Sequence, residues 1–273
     1  MNYLPSLLLP DYAKPHAFAI LTLNIELATL RHSIEKNSGT AGIYRLKFWK
    51  DTVDTVFGIK KGPIPRQPTA EALKQFLLLQ STNINYIYKL ITSRESTLGD
   101  RGFKSINELE EYGKNTIGNV IKLLCEGIKN NNIDLSEDII KAADSLGKSV
   151  VIINHIRSII PMLRKQIVLL PQDVMSLHNF TSDQLYNGKN QESCDNLIKE
   201  LVNIAEFHLK ESRKLGKNID RKYGLAFVGS SLTCDFHING LRKHNYKFNY
   251  SSLQSNDPFV AIKVGKMKLL GKY

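Results

Sequence analysis

The sequence predicts an all-α protein, and three observations support that prediction. Apolar residues recur every three or four positions along most of the chain, which is the period of an amphipathic helix. No block of the chain is rich in strand-type patterns. The breaks between the helical segments are short, and they fall at residues 58–65, 130–132, 187–190 and 250–258. Without an internal repeat or a long low-complexity linker, residues 1–273 are expected to form one domain.

The predicted helices follow one another along the whole chain. Helical spacing is clear at residues 18–30 and 43–56, and Pro68 suits the first turn of a third helix. Ser105 and Glu108 have the spacing of a capping box, and Ser136 is a second candidate N-cap. The remaining helices are predicted at residues 84–98, 106–128, 136–160, 194–215, 223–241 and 258–270.

Composition narrows the class of protein. The chain has 273 residues, of which 42% are hydrophobic and 23% charged, as is typical of a folded globular protein. Three cysteines without a CxxC spacing indicate reduced, buried thiols and a reducing compartment. No apolar run is as long as a membrane span, and neither a secretory signal nor a transit segment is visible in this chain.

Positive charge is concentrated at the C-terminal end. The chain carries a net charge of +11, and residues 210–273 hold 13 Lys or Arg against 4 Asp or Glu, a difference of +9. A basic end of this kind suits an anionic lipid surface or an acidic protein partner. No nucleic-acid partner is expected, because no binding motif accompanies the charge. A solvated basic face without a dedicated ligand remains the alternative.

Residues 145–171, SLGKSVVIINHIRSIIPMLRKQIVLLP, form the most informative segment. It resembles the second aspartate-rich helix of the squalene/phytoene synthase family, LG-x-A-x-Q-x-T-N-x-x-RD-x-x-x-D followed by a basic turn and YLP. The matching residues are Leu146, Gly147, Asn154, Arg157, Arg164, Lys165, Leu170 and Pro171. The two aspartate positions are occupied by Ser158 and Met162. The resemblance implies a single-domain, isoprenoid-synthase-like helical bundle around a central cavity.

The first aspartate-rich motif of that family, YAFCR-x-x-DD-x-x-D, is best matched by residues 18–33, FAILTLNIELATLRHS. In this register the acidic positions fall on Ala28, Thr29 and His32. Enzymes of the family use these carboxylates to hold magnesium against a diphosphate, and magnesium requires oxygen ligands. We therefore expect no metal, no cofactor and no enzymatic activity. A prenyl-diphosphate transferase that uses Glu26 as a substitute ligand is the alternative.

Other segments extend the resemblance to about residue 215. They are residues 43–53, 65–73, 90–98 and 103–126. Residues 18–34 are most similar to a non-catalytic branch of the family. That branch implies an assembly factor for mitochondrial respiratory complex I, on the matrix side of the inner membrane, with complex I subunits or other assembly factors as partners. The basic C-terminal helices, residues 216–273, would then contact the membrane surface.

The resemblance also implies which residues line the central cavity. The candidates for cavity-lining or ligand-binding roles are Asn24, Glu26, Arg45, Asn154 and Arg157. The cavity either holds an isoprenoid or lipid ligand or has collapsed into the core, and collapse is favoured because Met162, Ile159 and Ile160 fill space. A lipid carrier without an assembly role is a further alternative. Pro161 is expected to kink its helix or to remove a hydrogen bond.

Overall fold

The computed structural model describes residues 3–30, 39–77, 82–95, 97–98, 102–129, 134–270 and 273. Within these residues all regular structure is helical, which confirms the all-α prediction. The N-terminal half contains α1 (Tyr3–Ser6), a 3-10 turn (Asp11–Ala13), α2 (Lys14–Thr29), α3 (Gly39–Val56), α4 (Pro68–Leu77) and α5 (Ile84–Glu95). It continues with α6 (Ile106–Gly113), a π-helical turn (Lys114–Gly118) and α7 (Asn119–Ile128).

The C-terminal half begins with the longest helix, α8 (Glu137–Leu163). It is followed by α9 (Gln172–Leu177), α10 (Ser182–Tyr186), α11 (Gln191–Gly216), α12 (Arg221–Gly224), α13 (Val228–Lys243), a 3-10 turn (Ser251–Gln254) and α14 (Val260–Leu270). Every predicted helix is present. The short helices α1, α9 and α10 were not predicted, and the predicted helix at residues 223–241 is divided by a turn into α12 and α13.

Two of the predicted helix starts are capped by their serines. The hydroxyl of Ser136 accepts from the amide of Ile139 at 3.4 Å, and that of Ser105 accepts from the amide of Glu108 at 3.2 Å. Glu108 does not complete the predicted capping box, because its carboxylate accepts from the amide of Lys104 at 2.7 Å. The Glu108 carboxylate thus binds the amide one residue before the one used in the standard capping box. The predicted hydrogen bond from the Glu108 amide to the Ser105 side chain is confirmed.

Helix α8 lies in the middle of the bundle. It packs against α6, the π-helical turn, α7, α11 and α13. With 27 residues it is long and apolar enough to cross a bilayer, but more than half of its most apolar stretch is buried inside the bundle. Such burial is typical of the central helix of a globular protein. The three cysteines Cys125, Cys194 and Cys234 are also buried and form no disulfide.

Close backbone packing against α8 depends on glycine. A Cβ atom on Gly147 would lie 2.6 Å from the carbonyl oxygen of Gly113 and 2.6 Å from the amide nitrogen of Gly118. Any side chain at this position therefore collides with the backbone at the π-helical turn. The glycine of the LG pair is required for α6 and the turn to approach α8, and this approach forms one wall of the cavity described below.

Pro161 lies inside the last turn of α8 without ending it, since the helix continues to Leu163. Proline has no amide hydrogen, so the carbonyl of Arg157, four residues earlier, loses its usual helical partner. The side-chain amide of Gln254 donates to that carbonyl at 2.5 Å instead. The lost bond was predicted; its replacement from the C-terminal 3-10 turn was not.

Candidate functional site

A cavity of about 220 Å³ opens between α2, α5, the α6 region and α8. Its polar lining residues are Asn24, Arg94, Thr97, Tyr112, Thr116, Asn154 and His155. Its apolar lining residues are Leu27, Ala28, Leu98, Ile117 and Val151. The volume is below the roughly 300–1,000 Å³ of typical small-molecule pockets. The cavity would therefore accept a small group or part of a longer ligand.

Arg94 is the only permanently charged side chain among the described residues that line the cavity. It is 6% exposed, and burial lowers the pKa of its guanidinium. One guanidinium nitrogen donates to the carbonyl of Leu90 at 2.6 Å, and another donates to the side-chain oxygen of Asn24 at 2.5 Å. Neutral oxygens thus hold this cation at the wall between α2 and α5.

Arg94 was not among the predicted site residues, although its position in the sequence carried a signal. Ile87, Ile91 and Arg94 follow one another at spacings of four and three, so they share one face of α5. Ile87 and Ile91 are both buried. An arginine on a face that points into the core must find acceptors there, because an unsatisfied buried cation is costly.

Two of the predicted cavity residues line the cavity. Asn24 does so from α2 and Asn154 from α8. The side-chain oxygen of Asn154 also accepts from a guanidinium nitrogen of Arg157 at 3.4 Å. Arg157 itself is directed elsewhere, because its Nε donates to the carbonyl of Leu253 at 3.2 Å. The contacts of Arg157 therefore join α8 to the C-terminal 3-10 turn.

Glu26 and Arg45 lie outside the set of lining residues. A carboxylate oxygen of Glu26 accepts from the side-chain amide of Gln67 at 3.4 Å, which links α2 to the residue before α4. Arg45 is exposed on α3. Successive residues of an α-helix are about 100° apart, so Glu26 lies about 200° around α2 from Asn24. When Asn24 faces the cavity, Glu26 therefore points away from it.

The first metal-motif positions are occupied by small or neutral side chains where they are described. Ala28 lines the cavity. Thr29 is exposed, and its hydroxyl donates to the carbonyl of Ile25 at 2.9 Å. His32, the third position, lies outside the described residues. Neither Ala28 nor Thr29 supplies an anionic oxygen.

The second metal-motif positions are taken up by internal contacts. The hydroxyl of Ser158 donates to the carbonyl of His155 at 2.9 Å. Met162 is buried in a small apolar cluster with Ile167 and Leu169. The space left beside Ser158 and Met162 is a cavity of only about 10 Å³. Apolar packing fills this end of α8, whereas the neighbouring cavity stays open.

In the family that the two aspartate-rich motifs resemble, the enzymes bind magnesium at the corresponding positions. Magnesium prefers oxygen ligands, with carboxylates as its usual protein anchors. The lining residues that are described offer amide, hydroxyl and imidazole groups beside a guanidinium, and no carboxylate. Nor do the described residues contain any group of three or more His, Cys, Asp or Glu placed to hold a metal ion. These residues do not fit a magnesium cluster.

His155 lines the open cavity and also the small one next to it. Its Nδ1 is 2.8 Å from the carbonyl oxygen of Val151, and its ring makes edge contacts with Phe103 and Tyr112. The aromatic contacts fix the plane of the imidazole.

Comparison with known proteins identifies the family. The sequence profile described as squalene/phytoene synthase matches residues 1–260. The chain belongs to the squalene/phytoene synthase family. Similar folds are found in the solved structures of the squalene synthase HpnC from Alicyclobacillus acidocaldarius, with 15% identity, a TM-score of 0.76 and coverage of 89% of this chain and 88% of that one. A dehydrosqualene synthase in complex with ligand has 18% identity, a TM-score of 0.79 and coverage of 98% and 90%.

Proteins named as assembly factors are more similar in sequence to this family member than the two synthases are. The assembly factor 6 of NADH dehydrogenase (ubiquinone) complex I from Bos taurus is 28% identical over 263 residues, covering 96% of this chain and 75% of the relative. The Homo sapiens protein of that name has the same identity and coverage. The Drosophila melanogaster homologue is 29% identical over 279 residues and covers 100% of this chain and 80% of its own length.

Proposed function

We propose that this chain is a non-enzymatic assembly factor for mitochondrial respiratory complex I, built on the prenyl-synthase fold. The observation that carries the non-enzymatic part of the proposal is the side-chain set of the cavity. A buried Arg94 is bound to Asn24, and the described lining has no carboxylate. The relatives named as complex I assembly factors match nearly the whole chain, which supports the same assignment.

Chemistry argues against prenyl transfer by this set of residues. Removing a diphosphate from a prenyl chain requires cations that neutralise the leaving group, and metal-dependent enzymes hold those cations with carboxylates. Ser158 and Met162 are uncharged, and Met162 is packed among apolar side chains. Arg94 is one cation, held by neutral acceptors at the wall. In our proposal the motif positions have lost their metal-binding role and the fold has been retained for contacts with other proteins.

The proposal includes a location and partners. The protein acts on the matrix side of the inner membrane and contacts complex I subunits or other assembly factors. The basic C-terminal region, residues 216–273, faces the membrane surface, where anionic lipids attract lysine and arginine. Residues 1–273 act as a single domain. Asn24 and Asn154 are among the polar residues that any isoprenoid or lipid ligand entering the cavity would meet.

Complex I assembly in cells that lack the chain tests the proposal. Wild-type protein should restore the complex I band on native gels, and a variant carrying both Ser158→Ala and Met162→Leu should restore it equally well. These replacements remove the hydroxyl and the thioether without opening the core. Loss of complex I with the variant alone would point to chemistry at these positions, and failure of the wild-type protein would refute the assembly role.

A direct test of catalysis uses the purified protein. Calorimetry with farnesyl diphosphate, with and without magnesium, should show no magnesium-dependent binding. A pyrophosphate-release assay should show no turnover, with a squalene synthase as the positive control. Magnesium-dependent binding together with release would support the transferase alternative and would direct attention to Glu26.

The open cavity favours one second candidate, a lipid or isoprenoid carrier. Its volume of about 220 Å³ and its mixed lining would accept part of a lipid. A carrier should copurify with a stoichiometric ligand that mass spectrometry of the organic extract identifies, and its deletion should leave complex I intact. A complex I defect without a copurified lipid would favour the assembly factor.

A further inference from the structure

Helix α14 has an apolar stripe on its outward side. Phe259, Ile262 and Leu269 are 61%, 71% and 81% exposed, and with Lys266 they recur at spacings of three, four and three. The amide of Lys263 donates to the carbonyl of Phe259 at 3.0 Å, so Phe259 shares the helical geometry. Single exposed hydrophobic residues are ordinary, but an aligned set on one helix face indicates a contact surface.

The inward side of α14 is apolar as well and accounts for how the helix is attached. Val264 is buried with Val228 and Leu232 of α13, and Val260 and Met267 pack against this cluster. Packing on α13 therefore uses one side of the helix only. The stripe on the opposite side is mostly exposed and is not part of this cluster, so its composition requires another explanation.

The N-terminal helix extends the same face. Helix α1 contacts both α13 and α14. Leu4 and Leu7 are each 41% exposed, while Leu8 packs against the cluster under α14. The two ends of the chain thus lie side by side. Together they present the terminal apolar face, which we define as Leu4, Leu7, Phe259, Ile262 and Leu269.

The charged residues of α14 indicate which kind of partner the terminal apolar face binds. The helix carries Lys263, Lys266 and Lys268 and no acidic residue. Lys263 is paired with the buried Asp257 at 2.5 Å, and the exposed Lys266 lies within the stripe itself. Helices that lie in a membrane interface combine large apolar side chains with lysines in this way, because the lysines reach the anionic head groups.

We propose that the terminal apolar face docks on an anionic lipid bilayer, with α14 lying in the interface and Phe259, Ile262 and Leu269 inserted among the acyl chains. This deepens the proposed function, in which the basic C-terminal region meets the membrane. It assigns the contact to three apolar side chains in addition to the lysines. A second copy of the chain fits this face less well, since two such helices would bring their lysines together.

Vesicle binding by the full-length protein tests the proposal. The test variant is Phe259→Gln with Ile262→Gln and Leu269→Gln. The matched control is Ile59→Gln with Leu177→Gln and Phe207→Gln, whose wild-type side chains are 64%, 67% and 59% exposed elsewhere on the molecule. Vesicles of phosphatidylcholine with about one fifth phosphatidylglycerol are compared with pure phosphatidylcholine at about 0.05 M and about 0.5 M salt.

Wild type and control should sediment with the anionic vesicles, and part of this binding should persist at high salt because apolar insertion is not screened. The test variant should lose about tenfold or more of its partition coefficient. Equal binding by test variant and wild type would overturn the proposal. So would a wild-type dimer that dissociates in the test variant while neither protein binds vesicles.

Tryptophan fluorescence tests insertion without a variant that loses vesicle binding. The only tryptophan, Trp49, is buried, so a Phe259→Trp variant adds one exposed reporter. Its emission should shift to shorter wavelength on anionic vesicles, and an unchanged spectrum would refute insertion. Failure of the wild-type protein to support complex I while it still binds vesicles would refute the proposed function and leave the docking face supported.

Discussion

The side-chain amide of Gln254 donates to the carbonyl oxygen of Arg157 at 2.5 Å, and Arg157 donates back through its Nε to the carbonyl of Leu253 at 3.2 Å. The first of these bonds takes the place of the helical bond that Pro161 cannot form. A proline inside the central helix is thereby tolerated, because the C-terminal 3-10 turn satisfies the carbonyl that the proline leaves without a partner.

A double-mutant cycle tests this relationship. Gln254→Ala should cost about 1 kcal/mol of unfolding free energy, the usual net contribution of an intramolecular hydrogen bond. In a Pro161→Ala background the helix regains its own donor, so the same substitution should cost less. Urea denaturation of the four proteins measures the coupling. Ser252→Ala, in the same exposed turn, is the control, and strictly additive costs would contradict the replacement of one bond by the other.

Gly147→Ala should destabilise the protein by about 1–3 kcal/mol or prevent folding. The new methyl group would lie 2.6 Å from backbone atoms of Gly113 and Gly118, which cannot move without separating α6 from α8. Gly265→Ala on α14 is the matched control, since a Cβ there meets nothing within 4 Å. That control should gain up to about 1 kcal/mol from helix propensity. Thermal and urea unfolding distinguish the two, and equal effects would refute the close approach.

Asn24→Ala should cost about 1–3 kcal/mol, because the buried guanidinium of Arg94 loses its side-chain acceptor. Asn24→Asp should keep most of the stability, since a carboxylate accepts the same bond and adds an opposite charge. Urea midpoints measure both variants, with the exposed Thr22→Ala as the control on the same helix. An Asp variant that is as unstable as the Ala variant would show that Asn24 is needed for its shape rather than as an acceptor.

Glu126 gives a pH-dependent prediction. Burial raises the pKa of Glu126 from its usual 4.5 to about 7, although the amide of Asn83 donates to it at 2.9 Å. Between pH 4.5 and 7 the folded carboxyl keeps a proton that the unfolded one releases, so this group stabilises the fold as the pH falls. Above pH 7 it is ionised in the core. Glu126→Gln should therefore gain on the order of 3 kcal/mol at pH 8, and the gain should disappear towards pH 4.5.

The control for this prediction is Glu137→Gln at the exposed start of α8. Its ion pair with Lys141 lowers the pKa of Glu137, so the carboxylate stabilises the fold above its unfolded pKa. Removing it should lower the stability at pH 8, the opposite direction to the Glu126 variant. Urea titrations at pH 8 and pH 5 measure both. A Glu126 variant whose advantage does not depend on pH would exclude ionisation in the core as its cause.

The long helices were predictable because each has an apolar face of several turns. The short helices α1, α9 and α10 were missed, since four to six residues give too few periods for a pattern. The predicted single helix at residues 106–128 contains a π-helical turn instead, at Lys114–Gly118. That turn lies where Gly118 meets Gly147 of α8, a contact between residues distant in sequence.

The site residues also divide into those that the sequence predicted and those that only the tertiary structure revealed. Motif comparison placed Asn24 and Asn154 at the cavity, because both belong to helices whose register the motifs define. It did not distinguish Arg157 from them, since the direction of a long side chain depends on which acceptors surround it. The carbonyl of Leu253, from a segment 96 positions later, decides that direction. Arg94 belongs to the segment 90–98 that resembles the family, but it was not selected as a site residue, because the resemblance does not show which side chains of that segment reach the cavity.

The sequence by itself determined the family, the all-α class, the order of the long helices and the uncharged residues at the metal-motif positions, because these depend on local periodicity and on residue identity. Only the tertiary structure decided which side of each helix meets the cavity, that Asn24 holds Arg94, and that Gln254 compensates for Pro161. It also placed the two termini beside each other to form one apolar face. The physical reason is that these features are contacts between side chains far apart in the chain, and they exist only after the helices have packed.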